Sequence, residues 1–277
     1  MMAQQLAHSK LKPNQDVPDD LESLPIRPLG VAGVIRKLAF KLAINSVVTT
    51  AGQYFGNLQL GVNRKHGMDI MYHSIVHNME MNPTHDTVLI DASNAFGNIR
   101  RSSIVKVLAD EFPSLQPIFL AAYGDANILW YNAFSEGLYK ILQDTGVLQG
   151  CSSGSFFFSI GIHPLLQQLQ NKLHNLRDVL KAYIDDIVVD AETSRTQDLL
   201  RTILQEGPNT GVFMNTAKTL VLLGKCDSSE QAFSTFESYR ELLHLSHEDA
   251  IRVVLIHPDH RNRNNIKWHR CFMVEFF

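Results

Sequence analysis

Three aspartates stand where β-strands should end. Asp91 directly follows the β-prone residues 87–90. Asp185 and Asp186 interrupt an apolar run at residues 179–189. Burying an ionised carboxylate is costly unless a metal ion or another partner compensates, and two adjacent carboxylates repel each other. A helix N-cap would explain Asp91 taken alone, and an exposed tight turn would explain an Asp-Asp pair taken alone.

A strand-end acid and an acid pair on a hairpin together make the donor set of a two-metal phosphoryl-transfer site. Carboxylates from neighbouring strands can hold two Mg²⁺ ions about 3.5–4 Å apart. Such ions activate a 3′-hydroxyl group and stabilise a leaving pyrophosphate. The pattern therefore indicates nucleotidyl transfer if the strands that carry the acids are adjacent.

Hydrophobic periodicity predicts alternating helices and strands around these acids. Helices are predicted at residues 31–48, 68–79, 102–111, 155–173 and 196–206, and strands at 87–90, 128–131, 137–142, 179–189 as a hairpin, and 219–223. In the first helix, Val34, Leu38 and Leu42 belong to an apolar stripe that should face the core, with the basic side outward. The alternation predicts a mixed α/β or α+β domain.

The composition is that of an ordinary folded protein. The chain has 277 residues, of which 45% are hydrophobic and 19% are charged. The longest apolar run, at residues 155–166, is shorter than the ~20 residues that a membrane span needs, and the N-terminus has no signal-peptide core. We therefore predict an intracellular protein of the nucleus or cytoplasm with no membrane association. Cys151, Cys226 and Cys271 are scattered, which predicts free thiols.

The formal net charge of −3 argues against a nucleic-acid partner, but the distribution of charge does not. Residues 23–67 contain no acidic residue and carry Arg27, Arg36, Lys37, Lys41, Arg64 and Lys65. A second basic cluster lies at residues 261–270. These clusters are either electrostatic footprints for a polyanion or solvated helix faces.

The order of the motifs resembles that of reverse transcriptases from non-LTR retrotransposons. The strings, in order, are IRPLGV with Arg27, VLIDASNAF with Asp91, GVLQGCSSGSFFF with Gln149, YIDD with Asp185, and GVFMNTAKTLVLL with Lys218. The string LQLGV at residues 58–62 resembles the fingers segment that follows the first motif. Each string alone is weak, whereas five in the correct order are specific together. The resemblance covers roughly residues 10–225 and is nearest to site-specific, target-primed elements.

This resemblance implies an α+β fold, the fingers and palm of a right-hand polymerase, with an antiparallel palm sheet packed on helices and the thumb missing. It divides the chain into a flexible arm or incomplete fingers at 1–24, partial fingers at 25–86, a reverse transcriptase palm at 87–225 and a divergent or truncated tail at 226–277. It implies RNA-directed DNA synthesis, with an RNA template, a DNA primer and deoxynucleoside triphosphates (dNTPs) as partners. Two Mg²⁺ ions, or Mn²⁺ in their place, are the implied cofactors.

The resemblance also assigns the catalytic roles. Asp91 and Asp185 would bind the metal ions, and Asp186 would support them. Lys218 would protonate the leaving pyrophosphate, although an isolated lysine is usually only solvated.

Four further residues are implied to bind substrate. Phe96 would stack under the deoxyribose and exclude a 2′-hydroxyl, or it is a core aromatic. Gln149 and Gly150 would let the backbone approach the nucleotide or template, or they form an ordinary glycine turn. Arg27 would contact the triphosphate as a bidentate donor, and Lys12 is a second candidate for that contact.

The chain departs from the family pattern in two places. Residues 151–155 read Cys-Ser-Ser-Gly-Ser where the family usually has Asp-Pro-Leu-Gly-Pro, which removes an acid and two prolines. After Leu223 no primer-grip hairpin, thumb helices, zinc knuckle or endonuclease is recognisable. The alternative is therefore a catalytically inactive relic of a retroelement that retains nucleic-acid binding.

Overall fold

Two β-sheets organise the part of the chain that the computed structural model describes, which is residues 3–9, 26–132, 138–151 and 153–256. In chain order the elements are β1 (Ala3–Ser9), β2 (Ile26–Ala32), α1 (Val34–Ser46), α2 (Val48–Phe55), α3 (Gly67–Met81), β3 (Asp86–Ile90), α4 (Ala95–Asn98), α5 (Arg101–Glu111), a 3₁₀ turn (Pro113–Leu115), α6 (Gln116–Tyr123), β4 (Asn127–Asn132), β5 (Leu138–Gln143), α7 (Gly154–Gln170), β6 (Val179–Tyr183), β7 (Asp186–Ala191), α8 (Thr193–Thr210), β8 (Leu220–Leu223), α9 (Ser229–Leu242), α10 (His247–Val253) and β9 (Val254–Ile256). Lys12, Cys271 and the basic cluster at 261–270 lie outside the described residues.

The smaller sheet has four strands in the order β2-β1-β4-β5. Strand β1 pairs antiparallel with β2 and parallel with β4, and β4 and β5 form an antiparallel hairpin. The sequence predicted the β4–β5 hairpin, which is confirmed. For residues 1–24 it predicted a flexible arm or incomplete fingers, and the described part, residues 3–9, forms a strand of this sheet.

The larger sheet, called the central sheet below, has five strands in the order β6-β7-β3-β8-β9. Strand β3 lies in the middle of the sheet, and all five of its residues, including the polar Asp86 and Thr87, are buried because it has neighbours on both sides. All neighbouring strands of the central sheet pair antiparallel, except that β8 and β9 pair parallel. The sequence predicted residues 219–223 as the last strand; the structure adds α9, α10 and β9 after it.

Helices cover both faces of the central sheet. The main core lies on the face that packs against α8, with α7 next to α8 and α5 next to α7, and it includes Val88, Ile90, Phe157 and Leu199. The apolar run that predicted a helix at 155–173 forms α7, which is buried along most of its length. On the opposite face, α3 packs against β6 and β7 around a smaller core.

Helix α1 is rotated relative to the prediction. Val34 and Ile35 are 81% and 76% exposed, and Leu38 and Leu42 are exposed too, whereas Arg36 is buried. The prediction that the apolar stripe faces the core was therefore wrong. The physical reason is that the Arg36 guanidinium has buried partners of its own.

These partners come from the smaller sheet and the helix before it. Arg36 Nη1 donates to Asn127 Oδ1 at 2.9 Å, and Nη2 donates to the Ala122 carbonyl at 3.3 Å. The guanidinium also lies 4.5 Å from the ring centre of Tyr123, a cation–π contact. A planar cation with hydrogen bonds and an aromatic face can replace an aliphatic side chain in the interior.

Cys151 and Cys226 are free thiols, as predicted. Within the described ranges, every helix is too short or too polar to cross a bilayer.

Candidate active site

The three aspartates that the sequence singled out lie at one end of the central sheet. Asp91 comes directly after β3, whose last residue Ile90 pairs with Ile187 of β7. Continuing this register by one residue places Asp91 opposite Asp186. All three acids are half-buried, so solvent reaches this end of the sheet. The strand end and the hairpin turn are therefore adjacent, as the sequence pattern required.

Asp185 lies in the turn that joins β6 to β7. Tyr183 pairs with Asp186, so only Ile184 and Asp185 form the loop, and the predicted hairpin with the acids at its turn is confirmed. Ile184 has a φ of 59°, in the left-handed region. Such a conformation costs a residue other than glycine roughly 1–3 kcal/mol and persists only when its surroundings enforce it.

Gln59 contacts this turn from a segment far away in sequence. Its Oε1 accepts hydrogen bonds from the Ile184 and Gly61 amides at 2.8 and 3.0 Å, and its Nε2 donates to the Ile184 carbonyl at 3.0 Å. The string at 58–62 resembles a fingers segment, and that resemblance assigns no role to Gln59. A glutamine enclosed in an otherwise apolar string was the available signal, because a buried amide needs partners.

The backbone of Asp91 is tied to the segment that precedes β8. The Asp91 carbonyl accepts from the Asn215 amide at 2.8 Å, and the Asp91 amide donates to the buried Thr219 hydroxyl at 3.4 Å. Lys218 precedes Thr219 and is exposed. Lys218 lies in the turn between Asn215 and Thr219, where its amide donates to the Asn215 carbonyl at 3.0 Å. The structure thus brings the predicted lysine to the end of the sheet that carries the acids.

Phe96 follows the acid-bearing strand on the short helix α4. Its ring stacks on Phe158 of α7 with centroids 5.1 Å apart and planes 24° apart. The side chain is only half-buried. The stacking on Phe158 is typical of a core aromatic residue. The partial exposure leaves the Phe96 side chain accessible for contact with a sugar.

The loop that carries Gln149 and Gly150 contacts the segment around Phe96. The Val147 amide donates to the Phe96 carbonyl at 2.8 Å, and Gly146, with a φ of 66°, donates to the Ile99 carbonyl at 3.1 Å. Gln149 is half-buried and Gly150 is exposed. The loop is therefore attached to the backbone next to Phe96.

Strand β2 crosses the same loop. A methyl group on Gly150 would lie 2.8 Å from the Gly30 carbonyl oxygen, and one on Gly30 would lie 2.5 Å from the Leu148 side chain. Glycine is therefore needed at position 150, where the neighbour is backbone, whereas a larger residue at position 30 would require the Leu148 side chain to shift. Arg27 lies three residues earlier in β2, where its backbone pairs with His8. Strand β2 and the loop of Gln149 and Gly150 are thus in contact, and the sequence pattern assigns no role to Gly30.

Positive charge collects beside the hairpin. Arg64 and Lys65 are exposed, and Arg64 Nη2 donates to Asn57 Oδ1 at 3.2 Å. Burial, together with the charge of Arg64, lowers the pKa of Lys181 on β6. Repulsion between neighbouring cations is relieved by an anion, so this edge of the central sheet is suited to a polyanion.

The donor types at the end of the sheet suit a divalent cation. Carboxylate oxygens are the ligands that Mg²⁺ prefers, and the adjacent acids reduce their mutual repulsion when a cation binds. As the side chains stand in the described ranges, no group of three or more His, Cys, Asp or Glu residues is arranged to hold a metal ion. The match to a metal site therefore rests on residue type, backbone register and partial exposure.

The chain matches known proteins over most of its length. The reverse transcriptase (RNA-dependent DNA polymerase) family matches residues 22–257. The retrotransposable element SLACS 132 kDa protein of Trypanosoma brucei gambiense is 25% identical over 198 residues, which is 71% of this chain and 16% of that protein. The family match extends beyond the roughly 10–225 that the motifs covered, through α9, α10 and β9.

Solved structures share the fold. Apo telomerase from Candida tropicalis, truncated from its C-terminal domain, is 14% identical with a TM-score of 0.58 over 82% of this chain and 51% of its own. The RNA-dependent RNA polymerase of a human picobirnavirus is 15% identical with a TM-score of 0.52 over 79% of this chain and 40% of its own.

At such identities the likeness shows the fold, which is the predicted α+β arrangement of polymerase fingers and palm, with the central sheet as the palm sheet. The predicted antiparallel pairing holds except between β8 and β9. The chain spans about half the length of that telomerase chain and 16% of the retrotransposon protein. By its sequence match, its fold and the order of its motifs, the chain belongs to the reverse transcriptase (RNA-dependent DNA polymerase) family.

Proposed function

We propose that this chain is the RNA-directed DNA polymerase core of a non-LTR retrotransposon, which adds dNTPs to the 3′-hydroxyl of a DNA primer on an RNA template. The observation that supports this most is the position of Asp91, Asp185 and Asp186 at one half-exposed end of the central sheet. Acids that only stabilise a fold are usually buried and paired, or fully solvated. Adjacent half-buried acids on neighbouring strands suit chemistry on a phosphate ester.

The metal ligands in this proposal are Asp91 and Asp185, with Asp186 in support. Two Mg²⁺ ions, or Mn²⁺ ions, bound there would activate the primer hydroxyl and stabilise the charge on the pyrophosphate. Asp91 is suited to this role because its backbone is fixed on both sides, by Asn215 and by Thr219. A fixed backbone lowers the cost of orienting a ligand.

The remaining residues are proposed to bind the nucleotide and its leaving group. Lys218, exposed on the β8 side of Asp91, would donate a proton to the pyrophosphate. Arg27 would contact the triphosphate, with its strand held against the loop of Gln149 and Gly150 through Gly30. That loop would let the backbone approach the template or the nucleotide.

Phe96 is proposed to exclude a 2′-hydroxyl group. Replacing Phe96 by Val should increase ribonucleotide incorporation relative to deoxynucleotide incorporation by roughly 10- to 200-fold, the range that a change of pocket shape supports. The measurement is the ratio of kcat/KM for the two nucleotides. Phe233→Val on α9, where the side chain is 60% exposed, is the matched control and should leave the ratio unchanged. An unchanged ratio for Phe96→Val would assign Phe96 to the core.

The central experiment is primer extension by the 277-residue chain. An RNA template annealed to a DNA primer is incubated with dNTPs and Mg²⁺, and we expect extension that chelation abolishes. Asp185→Asn should reduce the rate by roughly 10³-fold or more, because it removes a carboxylate that stabilises transition-state charge. Asp198→Asn, an exposed acid on α8 that pairs with Lys172, should have no effect.

The alternative function makes a different prediction in the same assay. Binding of the primer–template without extension in Mg²⁺ or Mn²⁺ would support a catalytically inactive relic that retains nucleic-acid binding. Extension on a DNA template but not on RNA would contradict RNA-directed synthesis.

A further inference from the structure

The turn between β6 and β7 contains a residue in an unfavourable backbone conformation. Ile184 occupies the first position of a two-residue hairpin loop with a φ of 59°, where glycine, asparagine or aspartate is usual. A β-branched side chain is unfavourable there. Strain of this kind is maintained by contacts from outside the turn.

Gln59 supplies these contacts through both ends of its amide. The amide oxygen can only accept and the amide nitrogen can only donate, and the two face the N–H and the C=O of Ile184 respectively. Gln59 is 1% exposed, so water does not compete for these bonds. One buried side chain therefore satisfies both backbone groups of the strained residue.

The backbone around Gln59 holds the amide in place. The Ala182 amide donates to the Leu58 carbonyl at 2.8 Å, and the Leu60 amide donates to the Ala182 carbonyl at 2.7 Å. Residues 58–60 thus run beside β6 as a short parallel neighbour. A methyl group on Gly61 would lie 2.6 Å from the Ile184 nitrogen, so glycine is needed for this approach.

We propose that Gln59 is a positioning residue for nucleotide transfer: its amide holds Ile184 in the left-handed conformation and thereby aims the carboxylates of Asp185 and Asp186. These acids follow Ile184 directly, so a change in its backbone angles redirects both. A displacement of ~1 Å at a reacting group can reduce a rate about 100-fold. The kinetic part of this inference rests on the proposed polymerase function, whereas its structural part does not.

The structural part is tested by amide hydrogen exchange on the full chain. In Gln59→Met, which keeps the length and removes both polar ends, the Ile184 amide should exchange at least about 10-fold faster, because it loses its acceptor. The amides of Leu89 and Val188 in the central sheet should keep their protection. Unchanged protection at Ile184 would overturn the inference whether or not the chain polymerises.

The kinetic part is tested by the primer extension assay. Gln59→Met should lower kcat about 100-fold while the KM for the nucleotide changes less than about threefold, because the nucleotide contacts remain. Gln53→Met on α2, where the glutamine is exposed, is the matched control and should change neither. A raised KM with an unchanged kcat would contradict a positioning role.

A second-site change separates positioning from general destabilisation. Ile184→Gly allows a φ of 59° without strain, so Gln59→Met combined with Ile184→Gly should recover about 10-fold of the lost kcat. Failure of glycine to recover activity would overturn the assigned mechanism. If Gln59→Met does not fold, Gln59→Glu keeps the acceptor and removes the donor; it should lower kcat while protection at Ile184 remains, and an unchanged kcat would count against the proposal. Absence of extension by the wild-type chain would instead refute the proposed function, and hydrogen exchange would still decide the role of Gln59.

Discussion

The two ends of the central sheet carry aspartates on the same two strands in opposite environments. At one end, Asp86 of β3 and Asp190 of β7 are 2% and 0% exposed. At the other end, Asp91 and Asp186 are half-exposed, next to a turn held in an unfavourable conformation. Residue type and strand are the same, so burial and the supply of fixed donors distinguish the structural acids from the candidate catalytic ones.

The buried end is a closed hydrogen-bond network. Asp190 accepts from the Thr87 hydroxyl at 2.6 Å, from His85 just before β3, and from Asn78, which joins α3 to the sheet. Burial raises the pKa of Asp190, and these hydrogen bonds oppose that rise.

Asp86 joins the C-terminal elements to the same end. It accepts from the Tyr239 hydroxyl of α9 and from the Gly224 amide, both at 2.7 Å. Burial raises the pKa of Asp86, and these two bonds oppose the rise. Two buried acids thereby fasten helices on both sides of the central sheet.

The largest expected effect separates the two ends by activity. Asp91→Asn should reduce the rate of nucleotide addition by roughly 10³-fold or more, because it removes a proposed metal ligand. The free energy of unfolding should change by less than about 0.5 kcal/mol, because Asn has nearly the size of Asp and the bonds to Asn215 and Thr219 are made by the backbone. Primer extension and urea unfolding measure the two quantities. A large loss of stability at Asp91 would remove the distinction between the ends.

The opposite pattern is expected at Asp190. Asp190→Ala should lower the free energy of unfolding by about 3 kcal/mol, because Thr87, Asn78 and His85 lose a buried acceptor. The rate of extension per folded molecule should stay within about twofold of wild type, since additive effects are expected between separated sites. Urea unfolding with an active-site titration provides both values. A loss of activity larger than the loss of folded protein would mean that the two ends are coupled.

A smaller effect is expected where α9 is fastened. Tyr239→Phe removes the hydroxyl that donates to Asp86 and should cost about 2 kcal/mol, the usual value for a hydrogen bond to a charged group. In an Asp86→Asn background the same change should cost less, and a double-mutant cycle measures that coupling. Equal costs in both backgrounds would show that the bond does not stabilise the fold.

The smallest effect concerns pH and a buried base behind the sheet. Burial in α7 lowers the pKa of His163 to about 4. Between these two pKa values His163 is protonated in the unfolded chain and neutral in the folded chain. The free energy of unfolding therefore falls as the pH falls through the unfolded pKa of about 6.5. Between pH 7 and pH 5.5 the expected loss is about 1 kcal/mol. The loss should be absent in His163→Phe, and the same loss in that variant would assign the pH dependence to another group.

The sequence predicted the acids and most of the elements that carry them. Asp91 and the Asp185–Asp186 pair were identifiable because carboxylates at strand ends conflict with local apolar patterns. Their adjacency followed once a hairpin and a preceding strand were assigned to one sheet, and the register of β3 with β7 agrees. The roles of these residues in catalysis stay predictions.

Contacts between distant segments could not be predicted in this way. Gln59 and Ile184 are 125 residues apart, and no local pattern states that an amide in one reaches a turn in the other. The same holds for Gly30 against Gly150. Asp86 and Asp190 were overlooked because their partners arrive from α3 and α9.

Helix α1 shows a second limit of hydrophobic periodicity, which concerns the face of the helix that is buried. Its apolar stripe was assigned to the core, but periodicity reports that a helix has two faces and not which one is covered. Arg36 could not be recognised as the inward residue, because its contacts with Tyr123 and Asn127 come from a segment about 90 residues later in the chain. A cation with aromatic and amide partners reversed the orientation.

The strand order of the central sheet also determines how long β3 stays unpaired while the chain is being synthesised. Residue 86 of β3 pairs with residue 191 of β7, which is 105 residues later in the chain. At about 5–20 residues per second, a ribosome needs about 5–20 s to cover that interval. The β6–β7 hairpin closes within about 1–10 μs of its emergence, whereas β3, with its apolar residues Val88, Leu89 and Ile90, has by then spent seconds without either neighbour. Its unpaired edges are templates for other chains during that time, so slower growth at low temperature or a chaperone that covers residues 86–90 should raise the yield of folded protein.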